Sequence, residues 1–495
     1  MTEPARANAP TPDERRARPS HHRDRLLSQR FARWVDKRIG GAQLARTALN
    51  KVFPDHWSFM IGELVLYSFV MLVLTGLYLT FFFSPSANEV VYNGSYGPLR
   101  GVEMTEAYRS AIRLTFDVRA GLVMRQIHHW SALLFLAAMV VHLGRVFFTG
   151  AFRRPRELNW IVGVTMLILA IFNGFAGYSL LDDQLSGTGL RIAYSITLSV
   201  PIIGTWLASF LFGGEFPGPD ILSRLFVIHI LILPAIIAVL IAIHLAMVVR
   251  HKHTQFPGPG RREDNVVGER MWPTYAAKAT GLFFLTAAVL CLLGGLVQIN
   301  PIWIYGPFNT AEVSSASQPD WYMGWLDGAL RIMPGWELRA FGYEIPNPFF
   351  PGVLLASVTF ALLYAWPFLE ARVTRDYAEH HIDDRPRQRP VRTALGVACL
   401  AFYIVLFLGA ASDVLSTTFG LSVNAVIWTF RVLVFVLPVV SGWITYQLCK
   451  ELSARDGVPI ASKVDMREIP GRLFRRHDDH DSDSDPDRRE PATAD

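Results

Sequence analysis

The sequence predicts an all-α, polytopic membrane protein with eight transmembrane helices. Three observations carry this prediction. The chain is 51% hydrophobic and only 18% charged, a balance foreign to a large soluble enzyme. Apolar runs recur at lengths that match a hydrocarbon core of about 30 Å. Basic residues collect on alternate connections between those runs.

The spans are expected at residues 57–83, 126–150, 160–181, 222–249, 280–299, 349–368, 395–411 and 423–448. The first carries one charge, Glu63, the second Arg145 near its end, the fourth Arg224 near its start and the eighth Arg431; the other four carry none. Arg153, Arg154 and Arg156 follow the second span. Arg250, Lys252, Arg261, Arg262, Arg270 and Lys278 follow the fourth. Arg372, Arg375, Arg385, Arg387, Arg389 and Arg392 follow the sixth. The opposite connections are poorer in basic residues, which puts both termini in the cytoplasm. The net charge of +5 therefore reflects orientation in a membrane, and nucleic acid is not expected as a partner. Residues 1–50 read as a basic cytoplasmic extension without an apolar leader core. Residues 51–255 and 256–450 read as two membrane domains. Residues 451–495 read as a cytoplasmic tail, too charged after Arg475 to stay ordered. Cys291, Cys399 and Cys449 form no C-x-x-C pattern, which argues against zinc, covalent haem and a disulfide framework.

The second span, "RQIHHWSALLFLAAMVVHLGR" over residues 125–145, holds histidines where ionisable groups are costly. His128 and His142 are 14 residues apart, just under four turns, so they share a face about 21 Å apart along the axis. The fourth span offers His229 and His244, 15 apart. Both spans enter from the outside, so His128 and His229 match in depth near the outer surface, and His142 and His244 nearer the cytoplasm. Two facing imidazole pairs fit two non-covalent, bis-histidine b-type haems. The first four spans are then expected to form a dihaem four-helix bundle. A lone membrane histidine is more often a packing residue or proton relay; His129, without a depth-matched partner, is read as non-ligating.

Glycines repeat the interval. Gly62 and Gly76 on the first span, and Gly163 and Gly177 on the third, are each 14 apart. A flat porphyrin needs neighbours without side chains, so these four are expected to face porphyrin planes. Bulk at Gly163 should then do more harm than at Gly174, off the register. Arg125, Arg145 and Arg224 lie within two turns of the histidines and suit haem propionates, although interfacial arginines also simply snorkel.

These stretches resemble cytochrome b of the quinol–cytochrome c reductase (cytochrome bc) family. The likeness is carried by "RQIHHWSA", "HLGRVFFTGAFRRPRELNWIVG", "GFAGYSL", "SRLFVIHILILP" and "QPDWY" at 318–322. It covers residues 50–450. The family's Pro-Glu-Trp-Tyr motif has aspartate here, in Pro319-Asp320-Trp321-Tyr322, and Leu181-Asp182-Asp183 stands where many relatives have Pro-Trp-Asp. Both changes, with the arginine-rich N-terminus, resemble the actinobacterial form. That resemblance implies a multi-pass protein of the bacterial plasma membrane and menaquinol as substrate. It implies a Rieske iron–sulfur subunit and a dihaem c-type cytochrome as partners, a supercomplex with a terminal cytochrome c oxidase, a dimer of complexes and surrounding lipid. It also implies quinol oxidation outside, with Asp320 as the proton acceptor and Tyr322 beside it. Electrons then pass to an inner quinone site, coupled to proton translocation. An aspartate after proline is also an ordinary turn former. For the inner site Arg250, His251, His253, His380 and His381 are the faint candidates. The residues alone leave open a proton-relaying transporter without haem, or a two-haem conduit without quinol chemistry.

Overall fold

The computed structural model describes residues 29–31, 33–38, 40–312, 318–455 and 457; the first 28 residues and the charged tail after Arg475 lie outside them. Among the described residues eight helices are long and apolar enough to cross a membrane: Trp57–Thr80, Gly121–Thr149, Glu157–Ser179, Ile221–His251, Met271–Leu296, Phe349–Thr374, Pro390–Ala410 and Val423–Arg455. All eight expected spans are present. Several run a turn or two past the apolar run, because helical hydrogen bonding continues through polar residues at the membrane surface. The second begins at Gly121 and so carries Arg125 within the helix.

The described residues divide into two compact units, those of 29–55 with 267–280, and those of 56–266 with 281–457. In the smaller unit Val52–Pro54 pairs antiparallel with Gly268–Arg270. Phe53 stacks on Tyr275 with ring centres 4.1 Å apart, and Lys278 bridges Asp55 and Glu269 at 3.1 and 2.9 Å.

In the larger unit the first span packs along the second, the third against the fourth, and the second against the third. Phe135, Leu136, Met139, Met166, Leu167 and Ile237 fill the space between them. The sixth span leans on the third, where the Trp160 indole donates to the Leu363 carbonyl at 2.6 Å. The seventh packs against the eighth.

The fourth span contains one wide, π-type turn at Ile228–Ile232. A π turn takes in one residue more than an α turn. It therefore absorbs the extra residue in the 15-residue interval from His229 to His244, and both imidazoles keep one face.

The connections are more structured than the apolar runs suggest. Helices at Glu106–Phe116, Gln184–Leu198, Gly204–Phe212, Trp321–Ile332 and Ser412–Phe419 lie between the spans. Thr105 caps the first of these through the Tyr108 amide. Asp183 caps the second with a reciprocal bond to Ser186, the arrangement that satisfies two otherwise unpaired amides at a helix start. The helix at Trp321–Ile332 lies so close to the seventh span that any side chain at Gly328 would collide with the Leu406 carbonyl. Its last carbonyls are capped from the eighth span: Arg431 donates to Ile332 at 2.7 Å and to Met333 at 3.3 Å. A charge inside an apolar run thus finds partners in backbone carbonyls, as a membrane environment requires.

Candidate functional site

The four histidines come together in pairs. The ring centres of His128 and His229 are 6.1 Å apart and those of His142 and His244 are 6.4 Å apart. An imidazole nitrogen lies roughly 1.1 Å from its ring centre and a metal–imidazole bond is about 2 Å, so one shared iron asks for about 6.3 Å. Both pairs meet that spacing. Among the described residues no three His, Cys, Asp or Glu side chains cluster to hold a bare metal ion; each pair offers two imidazole ligands.

Hydrogen bonds set the outer pair's tautomers. His229 Nδ1 donates to the Asn173 carbonyl at 2.9 Å. Thr75 gives its own proton to the Met71 carbonyl at 2.6 Å and accepts from His128 Nδ1 at 3.0 Å. With each proton held on Nδ1, each Nε2 lone pair is free to bind iron. In the inner pair the Nδ1 atom of His142 is buried with no hydrogen-bond partner among the described residues, and His244 lies against the Asn159 backbone.

Three of the four expected glycines touch these rings. A Cβ added at Gly177 would lie 2.4 Å from His229 Cε1, at Gly76 3.1 Å from His128 Cε1, and at Gly62 3.3 Å from His142 Cε1. The absent side chains therefore make room for the imidazoles themselves. Gly163 differs, with nothing within 4 Å of its added Cβ, whereas Gly174 would meet the Tyr322 hydroxyl at 2.6 Å. Gly174, off the 14-residue register, is thus tightly packed for a reason of its own. Sequence spacing could not show that a side chain 148 residues downstream of Gly174 packs on it.

The outer pair opens on a cavity of about 440 Å³ whose lining includes His128, His229, Gly76, Gly177, Asp320 and Tyr322. That volume is typical of cofactor and ligand sites. Asp320 precedes the helix at Trp321–Ile332, yet its side chain caps nothing there. One oxygen, Oδ1, lies 2.7 Å from His129 Nε2, and the other, Oδ2, accepts from the Tyr322 hydroxyl at 3.0 Å. Burial, then the neighbouring Asp320 charge, raises the Tyr322 pKa well above that of an ordinary tyrosine, so it stays a donor. The contact of His129 with Asp320 is one that sequence reasoning missed. The available signals were the doubled histidine and the shortened carboxylate.

The three arginines part company. Arg125 lines the cavity, donates to the Asn300 carbonyl at 3.2 Å, and keeps buried Nε and Nη2 atoms without hydrogen-bond partners among the described residues. Arg145 is paired with Asp383 at 2.6 Å and lies over the Phe59 ring at 4.2 Å. Arg224 does not line the cavity; it donates to the Phe210 carbonyl at 2.7 Å and is half-exposed.

At the opposite end a buried ion network joins two connections, after the second and after the sixth span, to the sixth and seventh spans. Asp384 pairs with Arg153 at 3.3 Å, with Arg389 at 3.1 Å and with Arg392, which also reaches Glu370 at 2.8 Å. Burial alone would raise the Asp384 pKa, but Arg392, Arg153 and Arg389 outweigh it and hold it below the usual carboxylate range. Of the faint inner candidates, His380 pairs with Asp376 at 3.0 Å, and the His251 carbonyl accepts from Arg156 at 2.9 Å.

Eight apolar helices, the second and fourth bearing facing buried imidazoles, define a multi-pass membrane protein. Residues 133–307 match the family model described as "Cytochrome b(N-terminal)/b6/petB". The cytochrome b subunit of the cytochrome bc1 complex of Streptomyces coelicolor is 52% identical over 88% of this chain and 81% of its own length. The corresponding subunit of Mycobacterium tuberculosis is 54% identical over 86% and 78%, and that of Corynebacterium diphtheriae 51% over 85% and 78%. A solved structure titled "Hyperthermophilic respiratory Complex III" shares the fold, with a TM-score of 0.62 at 22% identity, over 84% of this chain and 99% of that one. The chain belongs to the family of cytochrome b subunits of the cytochrome bc1 complex.

Proposed function

We propose that this chain is the dihaem cytochrome b of a menaquinol–cytochrome c reductase in a bacterial plasma membrane, with both termini cytoplasmic. Residues 51–255 hold the haems and residues 256–450 complete the quinol site. When bound, the haems supply a one-electron path across the membrane. His128 and His229 would hold the outer iron, His142 and His244 the inner. Gly62, Gly76 and Gly177 give the imidazoles their room, and Arg125 keeps two buried N–H groups for an anionic partner such as a propionate.

Quinol binds in the outer cavity. Asp320 takes a proton from its hydroxyl, and Tyr322 steadies the carboxylate as a donor. The Asp320 side chain keeps 17% of its surface exposed, which gives the proton a way to the outer water. Oxidation to quinone releases two electrons and a second proton: a Rieske subunit takes one electron with that proton, a dihaem c-type cytochrome carries the electron on to a terminal oxidase in the same assembly, and the other electron enters the path across the membrane. Electrons crossing the membrane reach a quinone at the cytoplasmic end, where uptake of protons completes the translocation.

The single observation that carries this reading is that one cavity holds both the outer imidazole pair and the Asp320–Tyr322 carboxylate pair. The test is Asp320→Asn, which keeps size but removes the base. Turnover with quinol should fall roughly 100-fold or more, within the range of a lost general base, while both haems remain reducible by dithionite. Parental turnover at every pH would make Asp320 a turn residue.

A further inference from the structure

The geometry points to His129 as the positioning residue for Asp320, a role that rests on Asp320 being the proton acceptor. His129 follows a haem ligand in sequence, but one residue along a helix turns the side chain by about 100°. It therefore points away from its neighbour's partner, and its Nε2 is engaged by Asp320 Oδ1 at 2.7 Å.

Three facts make this contact more than a chance approach. Both side chains are mostly buried, with 12% of His129 and 17% of Asp320 exposed, so the bond is shielded from competing water. The Asp320 side chain makes no capping bond to its own helix, so among the described residues its hydrogen-bond partners are His129 and Tyr322. Tyr322 is itself fixed, because Gly174 leaves just enough space for its hydroxyl.

Without His129 the carboxylate would keep one fixed oxygen and turn about its terminal bond, a torsion with only broad preferences. An aspartate reaches one methylene less far than the glutamate of the resembled motif. The second span supplies the missing reach from the other side. His129 thereby holds the acid in the quinol cavity at the level of the outer imidazole pair, across 191 residues of sequence.

The test is a mutant cycle in the assembled complex, assayed with reduced 2,3-dimethyl-1,4-naphthoquinol and normalised to b-haem absorbance. His129→Leu should lower kcat roughly 10- to 100-fold, the worth of a hydrogen bond to a charged group, with KM unchanged. His129→Gln, whose amide reaches where Nε2 lies, should recover most of that loss, and the shorter His129→Asn should not. Combined with Asp320→Asn, His129→Leu should add nothing further, because a residue acting through Asp320 has no effect once the base is gone. Parental kcat in His129→Leu, equal losses in the Gln and Asn variants, or a double variant that falls by the product of the single losses would overturn the assignment. If the Leu variant loses haem, the Gln–Asn contrast still decides. An inactive Asp320→Asn with an innocuous His129→Leu would sink this inference alone; an active Asp320→Asn would sink the underlying reading.

Discussion

Adding one methyl group at Gly177 tests the imidazole cradle most sharply. Its Cβ would lie 2.4 Å from His229 Cε1 and 3.0 Å from both ring nitrogens. Carbon atoms pack comfortably at about 3.5–4.0 Å, so the ring must retreat by roughly 1 Å. It has little freedom to do so. Its Nδ1 is tied to Asn173 on the same helix as Gly177, and its other side faces His128 across 6.1 Å. Forcing such an overlap into a packed interior costs about 1–3 kcal/mol, here paid at the iron-binding geometry. In Gly177→Ala, reduced-minus-oxidised spectra and potentiometric titration of the purified complex should show an outer haem lost or shifted in potential. Gly281→Ala, on the fifth span with nothing within 4 Å of its added Cβ, should match the parent. Gly76→Ala and Gly62→Ala should fall between, in that order of severity. Identical haem content and titration curves for Gly177→Ala and Gly281→Ala would refute the reasoning.

Asp384→Asn strips the shared anion from Arg153, Arg389 and Arg392. Breaking a buried pair costs about 3–5 kcal/mol, visible as a lower melting temperature of the purified complex; an unchanged melting curve would show the network to be dispensable. Asp183 is pushed up to about 6 by burial, against the opposing bonds from Ser186 and Leu185. A carboxyl pKa raised above its unfolded value favours the fold at low pH, and that contribution is lost as pH rises through about 6. Asp183→Asn keeps a capping oxygen without the charge, so its melting temperature should fall less than the parent's between pH 5 and pH 7. Equal falls would remove Asp183 from the account.

Much of the architecture was legible because it depends on local pattern. Twenty apolar residues bounded by charge specify a membrane helix wherever they occur, so all eight spans could be read directly. The histidine pairs were legible because helical periodicity converts a 14-residue interval into one face. The 15-residue interval on the fourth span was less transparent, since its π turn is not encoded by any single residue. Other features depend on tertiary contact. The helix at Gln184–Leu198 is polar along one face, unlike a span, and resembled a loop. Arg392 and Arg153 carried the same orientation signal as any basic flank, although both are buried in ion pairs. Arg431 looked stranded until the helix ending at Ile332 came beneath it. His129 had no depth-matched histidine, and its actual partner lies on a distant connection.

The central claim is that two imidazole pairs each hold one iron between the second and fourth spans. The most direct measurement is b-haem stoichiometry, by pyridine haemochrome and redox titration, in the parent, His229→Leu and His142→Leu. The account predicts two b haems per chain in the parent. It predicts one in each variant, with the outer component missing from the first and the inner from the second. Two haems retained in either variant would contradict it.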